Sequence, residues 1–357
     1  MHSAQNFHPD WASPPGATIA DILHERGMSV AQFGERLGLT PEQVAELLQG
    51  RAHITIGIAR RLGHILGASV EFWMSRDFQY REDISRSHTV EAQWLSELPL
   101  GDMTRFGWIK PIRQSSAKLK ECLRFFGVPS VSAWRQTYQG LEKMVVFRKS
   151  RSFDSRPAAV AAWLRQGEIE AESISCRSWN SKRFVESLTS IRSLTRRKDP
   201  RYFVPALQRI CADSGVAVAV VRAPSGCPAS GATRFLSQQK ALLLLSFRYL
   251  SDDQFWFSFF HEAGHLLLHG ENGFFLEGME TANGEQEQEA NEFAGRTLVP
   301  AEFHASLFSL PTNSEKVIRF AVRVGVSPGV IVGQLQHYKK LHHGQLNTLK
   351  RRFTWED

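Results

Sequence analysis

The chain has 357 residues, of which 42% are apolar and 22% charged, and its formal net charge is +7, the profile of a soluble globular protein with two or three domains. The sequence holds no run of about 18 apolar residues, no signal-peptide pattern at its start and no CxxC pair among its four cysteines. We therefore expect a cytoplasmic protein without a membrane segment, a disulfide framework or a thiolate zinc site.

Charge is unevenly distributed along the chain. Residues 1–85 hold 7 arginines and 10 acidic residues, a net charge of −3, whereas residues 101–201 hold 21 basic and 9 acidic residues, a net charge of +12. Lysine and arginine contacts to phosphates dominate nucleic-acid binding. The basic middle segment, which includes Arg196, Arg197 and Lys198, is therefore a candidate nucleic-acid surface, and a solvated basic surface is the equal alternative.

Short capped helices follow one another in the first 80 residues. Ser29 with Gln32 and Thr40 with Gln43 have the spacing of two reciprocal capping pairs, each of which opens a helix. A turn that contains glycine separates the two helices, and this arrangement is typical of a helix-turn-helix. Two further short helices are predicted, the second ending near Phe78.

This N-terminal region, from about Pro15 to Tyr80, resembles the Xre-type helix-turn-helix proteins and, within them, the HigA-like antitoxins. Residues 28–40, 46–51 and 68–73 carry the resemblance. It implies that the second capped helix enters the major groove of DNA. The side chains that would then face DNA are Thr40, Glu42, Gln43, Glu46 and Arg51. Two of them are acidic and so is the whole module, so a helical module for dimerisation or partner binding remains the alternative.

The pattern stays helical through the middle of the chain and becomes extended at Gly215. Residues 86–154 are predicted to form a helical connector with breaks at Pro129 and Gly140, and three helices follow. Three strands are then predicted: residues 216–222, the more polar residues 231–237, which suit a sheet edge, and the apolar residues 241–247. Residues 251–253 are predicted to cap a long helix.

That helix carries the motif HEAGH at residues 261–265. Because residues four apart share one face of a helix, His261 and His265 can present two imidazole nitrogens to one metal ion. Catalytic zinc needs a third protein ligand and a water. Glu262, beside the first histidine, is placed to accept a proton from that water.

The third ligand is expected on a second helix, which holds four carboxylates between Glu285 and Glu292. Glu287 falls on the apolar face of this helix and is the preferred candidate, with Glu289 in reserve. Asn291, one turn after Glu287, could accept a hydrogen bond from a ligand histidine. His269 lies too far along the first helix to share the ion, and we expect it to support a ligand or to contact substrate.

Residues 155–340 resemble the ImmA/IrrE family of metallo-endopeptidases. The stretches 230–235, 251–257, 261–269 and 287–294, with Leu298 and Pro300, carry the resemblance, and Val299 stands where such sequences often have methionine. The resemblance implies a zincin in which His261, His265 and Glu287 bind Zn²⁺ and Glu262 is catalytic. It also implies a substrate protein that is a Xre-type repressor or antitoxin-like regulator, cleaved in a stress or mobile-element response.

Together these features predict an α+β protein: an N-terminal all-α helix-turn-helix domain followed by a mostly helical zincin-like peptidase domain with a small β-sheet. The predicted boundaries are 1–85, 86–154, 155–340 and 341–357, the last a basic tail in which residues 350–352 are solvated. Residues 314–335 are expected to be helical and to pack against the peptidase domain. A homodimer is possible by the helix-turn-helix resemblance.

Two other functions remain open at this point. The chain could be a DNA-binding regulator or antitoxin whose metal domain senses a signal without proteolysis, or a zinc hydrolase that does not cleave peptides. If the protein is a peptidase, we expect the strand at residues 231–237 to bind the substrate in extended form. We also expect nucleic acid, single-stranded for example, to bind the basic middle segment and to modulate the peptidase.

Overall fold

The computed structural model describes residues 12–146, 156–270, 275–276 and 284–355. The chain divides into two compact units, Met1–Ser96 and Glu97–Asp357, which are described separately below. The domain boundaries expected from the sequence stay predictions, and the one at residue 154 lies outside the described residues.

In the described part of the first unit, five helices surround one apolar core. The reciprocal capping pairs are present as predicted, since Ser29 bonds with Gln32 and Thr40 with Gln43 in both directions. Leu37 and Trp73 are fully buried in the core. The helices are α1 (Pro15–Glu25), α2 (Val30–Leu37), α3 (Pro41–Leu48), α4 (Ile56–Leu66) and α5 (Val70–Glu97).

Helix α5 is longer than the sequence analysis predicts. The predicted helix ends near Phe78, whereas α5 continues to Glu97 and has 28 residues. No glycine or proline occurs between Val70 and Glu97, and the first proline after them is Pro99. No residue in this stretch breaks a helix. Helix α5 therefore continues past Phe78, although apolar residues no longer recur at helical spacing.

Within the described residues of the second unit, six helices precede the sheet. They are α6 (Leu100–Arg105), α7 (Ser115–Phe126), α8 (Val131–Val146), α9 (Pro157–Ser173), α10 (Ser181–Leu194) and α11 (Pro200–Ala212). The predicted break at Gly140 is wrong, because α8 runs through it. A single interior glycine costs a helix only about 1 kcal/mol.

The sheet has four strands in the order β1-β3-β2-β4. Strands β1 (Val216–Val220) and β3 (Lys240–Leu245) are parallel, and β2 (Gly231–Ser237) runs antiparallel to β3 and to β4 (Phe275–Leu276). The prediction of β2 as an edge strand is wrong, since β4 pairs with its Ala232 and Thr233. A two-residue strand has no local sequence signal.

The helices that follow strand β3 contribute residues to the main core, and the first of them packs against β2 and β3. These helices are α12 (Asp252–Leu268), α13 (Gly284–Leu298), α14 (Ala301–Phe308), α15 (Ser314–Val324) and α16 (Pro328–His337). Val218 and Leu243 of the sheet share this core with Phe259 of α12 and Ile331 of α16. The predicted packing of residues 314–335 against this domain is confirmed.

The start of α12 is held by the C-terminal residues. Lys350 Nζ lies 2.6 Å from Asp253 Oδ2, and the Arg351 amide donates to Asp252 Oδ1 at 3.0 Å. The prediction that residues 350–352 are solvated is therefore wrong for Lys350, whose side chain is only 10% exposed. A buried carboxylate needs a counter-charge, and the sequence alone does not show which basic residue supplies it.

The predicted capping by residues 251–253 is realised differently from expectation. The Ser251 hydroxyl makes no capping hydrogen bond. Asp252 Oδ1 instead accepts from the Asp253 amide at 3.0 Å. The first turn therefore depends on Asp252, whose other oxygen accepts from the Ser327 hydroxyl at 2.7 Å.

The α+β class is confirmed, with a helical first unit and a mostly helical second unit that contains a small mixed sheet. Within the described residues, no single helix is long and apolar enough to cross a membrane. Only α15 and α16 taken together meet the length and composition test, and a bend of 106° separates them.

Candidate metal centre

Helices α12 and α13 approach closely at Gly264. A Cβ atom at this position would lie 3.1 Å from Phe293 Cδ1 and 3.3 Å from Ala290 Cα. Such distances leave little room for any side chain, so glycine permits the close crossing. The crossing sets the motif histidines of α12 opposite the first turns of α13.

Three side chains with metal-ligating atoms meet between these helices. His261 Nε2 and His265 Nε2 are 3.0 Å apart, and the two carboxylate oxygens of Glu287 lie 3.5 and 3.4 Å from them, respectively. Tetrahedral zinc with ligands near 2 Å requires its donor atoms to be about 3.3 Å apart. Two imidazoles and one carboxylate therefore fit one ion, and they form the metal-type cluster found among the described residues.

The electrostatics of the cluster favour the ligand forms of these side chains. Burial raises the pKa of Glu287, but hydrogen bonds from protonated His261 and His265 outweigh it and lower that pKa to about 2. A bound metal ion would take the place of those protons, and both imidazoles would then be neutral. Burial lowers the pKa of His265, against the opposing effect of Glu287. An ionised carboxylate and neutral imidazoles are the states in which these groups bind a metal.

Hydrogen bonds on the far side of each imidazole fix which nitrogen is free. Asn291 Oδ1 lies 3.0 Å from His261 Nδ1, and as an acceptor it requires the proton on Nδ1. His265 Nδ1 lies 3.0 Å from His269 Nδ1, whose ring Nε2 is 2.9 Å from Glu289 Oε2. If His269 donates to Glu289, it accepts from His265. Both ligand histidines then present an unprotonated Nε2 to the centre.

The alternative third ligand lies elsewhere. The Glu289 side chain is 63% exposed and contacts His269, whereas Glu287 is 20% exposed and contacts both motif histidines. The geometry thus favours Glu287 for the metal and gives Glu289 the role of orienting His269.

Glu262 is fully buried against the start of β2. A Cβ atom at Gly231 would lie 2.7 Å from Glu262 Oε1 and 2.7 Å from its Cγ. Any other residue at position 231 would therefore displace the carboxylate. Sequence reasoning gave Gly231 no role, although a glycine that opens a predicted strand is a known sign of close approach.

The candidate DNA-contact side chains of the first unit are on its surface but are largely engaged within it. Thr40 and Gln43 form the capping pair of α3. Glu46 binds Arg51 at 2.6 Å, and Gln49 also contacts that guanidinium. Glu42 is exposed, and hydrogen bonds from its own backbone amide and from the Thr40 hydroxyl lower its pKa.

The basic middle segment also reaches the surface. Arg196, Arg197 and Lys198 lie exposed in the turn between α10 and α11. Arg351 ties this turn to the C-terminal residues, because it donates to the Thr195 carbonyl at 2.8 Å and to the Arg197 carbonyl at 3.1 Å.

Comparison with known proteins agrees with these two units. Residues 215–336 match the model of the IrrE N-terminal-like domain, a peptidase family, and residues 19–73 match a helix-turn-helix model. Over 61 residues the chain is 30% identical to the uncharacterized HTH-type transcriptional regulator YddM of Escherichia coli (strain K12). That alignment covers 17% of this chain and 65% of the relative. Residues 19–73 are therefore similar to a helix-turn-helix domain and residues 215–336 to an IrrE-like domain.

Proposed function

We propose that the protein is a zinc-dependent endopeptidase whose helix-turn-helix unit directs it to DNA or to a protein partner. The observation that carries this proposal is the convergence of His261, His265 and Glu287 within 4.8 Å, with Glu262 buried beside them. The match to a peptidase family over the same residues supports it.

The side chains would divide the reaction as follows. His261, His265 and Glu287 hold the zinc ion, and Asn291 and His269 keep the two imidazoles in the binding tautomer. Bound zinc would acidify water and polarise the scissile carbonyl. Glu262 takes the proton of the attacking water and passes it to the leaving amine.

The substrate class we propose is a Xre-type repressor or an antitoxin-like regulator, cleaved in a stress or mobile-element response. Support comes from the helix-turn-helix match and from a relative that is named as a transcriptional regulator. Such units commonly pair with others of their kind, so a homodimer or a mixed dimer with the substrate would bring the cleavage site to the peptidase. Arg196, Arg197 and Lys198 would add a nucleic-acid contact that modulates cleavage.

Substitution of Glu262 tests the catalytic part of the proposal. The Glu262→Gln variant keeps the shape of the side chain but cannot accept the proton, so we expect cleavage of a co-expressed regulator to fall by at least about 100-fold. Zinc content and melting temperature should stay at wild-type values. The matched control is Glu292→Gln, the same change on an exposed residue of α13.

The rival function is a regulator whose metal domain senses a signal and cleaves nothing. It predicts that Glu262→Gln leaves the cellular response intact, because a sensor needs the metal ligands but no general base. A full response from the Glu262→Gln variant would therefore replace the peptidase proposal with this one.

A further inference from the structure

A cavity of about 200 Å³ lies between α12 and α16, on the side of α13 that holds Leu298. It begins one helical turn from the metal-binding residues, because Phe257 in its wall precedes His261 by four positions and their ring centroids are 6.2 Å apart. Its wall includes Asp253, Phe257, Leu298, Val330, Gln334 and His337.

Two buried polar side chains belong to this wall, Asp253 and Gln334, each 3% exposed. Although Lys350 lies beside Asp253 Oδ2, Asp253 Oδ1 accepts no hydrogen bond from any residue that the structure describes. A buried carboxylate oxygen normally has a partner, so Asp253 Oδ1 indicates a ligand or water in the cavity.

The charges around the cavity decide what kind of group fits. Lys350 already neutralises Asp253, with 2.6 Å between Nζ and Oδ2. A second cation would therefore meet an ammonium group, and an anion would meet the Asp253 carboxylate. A neutral group that both donates and accepts can satisfy Asp253 Oδ1 and the Gln334 carboxamide together. The volume equals that of about six or seven water molecules, which is enough for a side-chain carboxamide.

We propose that this cavity binds the glutamine or asparagine side chain of a peptide next to its scissile bond. This inference rests on the proposed peptidase function and names a substrate feature for the same site. Consecutive Cα atoms of an extended peptide are about 3.8 Å apart, so a residue beside the scissile bond can reach a cavity that starts at Phe257. Asp253 and Gln334 are then specificity-determining residues.

Metal-binding probes test this inference without requiring turnover. Three hydroxamate-capped dipeptide analogues that differ only in one side chain, glutamine, leucine or lysine, are titrated into the zinc-loaded full-length protein by calorimetry. Because a hydrogen bond to a charged group is worth a factor of about ten or more, we expect the glutamine probe to bind at least about tenfold tighter than the other two.

Variants of the two polar residues assign the preference to the cavity. Gln334→Leu and Asp253→Asn should each bring the glutamine probe to within about threefold of the leucine probe. Gln166→Leu is the matched control for Gln334→Leu, because Gln166 bonds to Glu170 on α9 and does not line the cavity, and it should keep the preference. Gln334→Leu leaves the ion pair of Asp253 untouched and serves alone if Asp253→Asn does not fold.

The possible failures are distinguishable. Equal binding of all three probes, or tightest binding of the lysine probe, would overturn the carboxamide pocket and leave the metal site standing. An unchanged preference in Gln334→Leu would also overturn it. Absence of binding by every probe would overturn the proposed metal site and this pocket with it.

Discussion

The metal-type cluster and the surface of α3 use polar side chains in opposite ways. Between α12 and α13, hydrogen bonds to Asn291 and His269 occupy the outer nitrogens of two histidines. The inner nitrogens are directed at each other and at Glu287. On α3, Thr40 and Gln43 are engaged in helix capping and Arg51 in an ion pair. The first arrangement is organised to receive a ligand, whereas the second stabilises the unit itself.

The two sites differ in whether they must rearrange before they can bind a ligand. Three donor atoms already fit an ion, so the cluster can bind metal with its backbone in place. A DNA contact by Arg51 requires the loss of its bond to Glu46. We therefore expect substitutions at the cluster to change chemistry strongly and substitutions on α3 to change stability or affinity modestly.

Among substitutions outside the metal-binding and catalytic side chains, the largest expected effect comes from Gly231→Ala. The new Cβ would lie 2.7 Å from Glu262 Oε1, so the carboxylate has to shift. We expect regulator cleavage to fall by more than about tenfold and stability to fall by about 1–3 kcal/mol, measured by cleavage assay and denaturant unfolding. Gly101→Ala is the control, since nothing lies within 4 Å of its Cβ position. Full activity in Gly231→Ala would contradict the placement of Glu262.

A smaller effect is expected from Thr40→Ala. Loss of the cap should lower the stability of the helix-turn-helix unit by about 1 kcal/mol, measured by thermal unfolding, and zinc content should not change. Ser29→Ala removes the equivalent cap of α2 and is the matched control. If Thr40→Ala weakens DNA binding much more than Ser29→Ala does, Thr40 contacts DNA directly. The statement that Thr40 serves the stability of its own unit would then be wrong.

The smallest effect is expected from Glu46→Ala. This change removes a negative charge from α3 and releases the Arg51 guanidinium. We expect DNA affinity to rise by a few-fold. The slope of log affinity against log salt concentration should become steeper by about one unit, the value for one additional phosphate contact. Glu25→Ala makes the same charge change on α1 and should have less effect. Equal gains in both variants would mean that net charge alone is responsible.

Much of this architecture could be predicted because its signals are local. The capping pairs of α2 and α3 lie within four residues, and the strands β1 and β3 show their apolar character directly. The preference for Glu287 over Glu289 as metal ligand came from the helical period of α13 and stays a prediction. The structure places Glu287, and not Glu289, beside both motif histidines.

The features that sequence reasoning missed depend on residues far apart in the chain. Strand β4 has two residues and is defined only by its pairing with β2. In the sequence, Lys350 belongs to a run of basic residues, which predicts a solvated side chain. Its partner, Asp253, lies far earlier in the chain. The contact between Gly231 and Glu262 joins a strand to a helix 31 positions later. Periodicity along the chain carries no information about such pairs.

The most direct test of the account is the zinc content of the purified protein. Wild type, Glu287→Ala and Glu289→Ala are stripped, reloaded with zinc and analysed by mass spectrometry, and their affinities are measured by competition with a chelator. We expect one equivalent in wild type and in Glu289→Ala, and an affinity more than about 100-fold weaker in Glu287→Ala, a larger loss than a supporting residue causes. Wild-type affinity in Glu287→Ala, or no zinc in the wild type, would contradict the proposed metal centre.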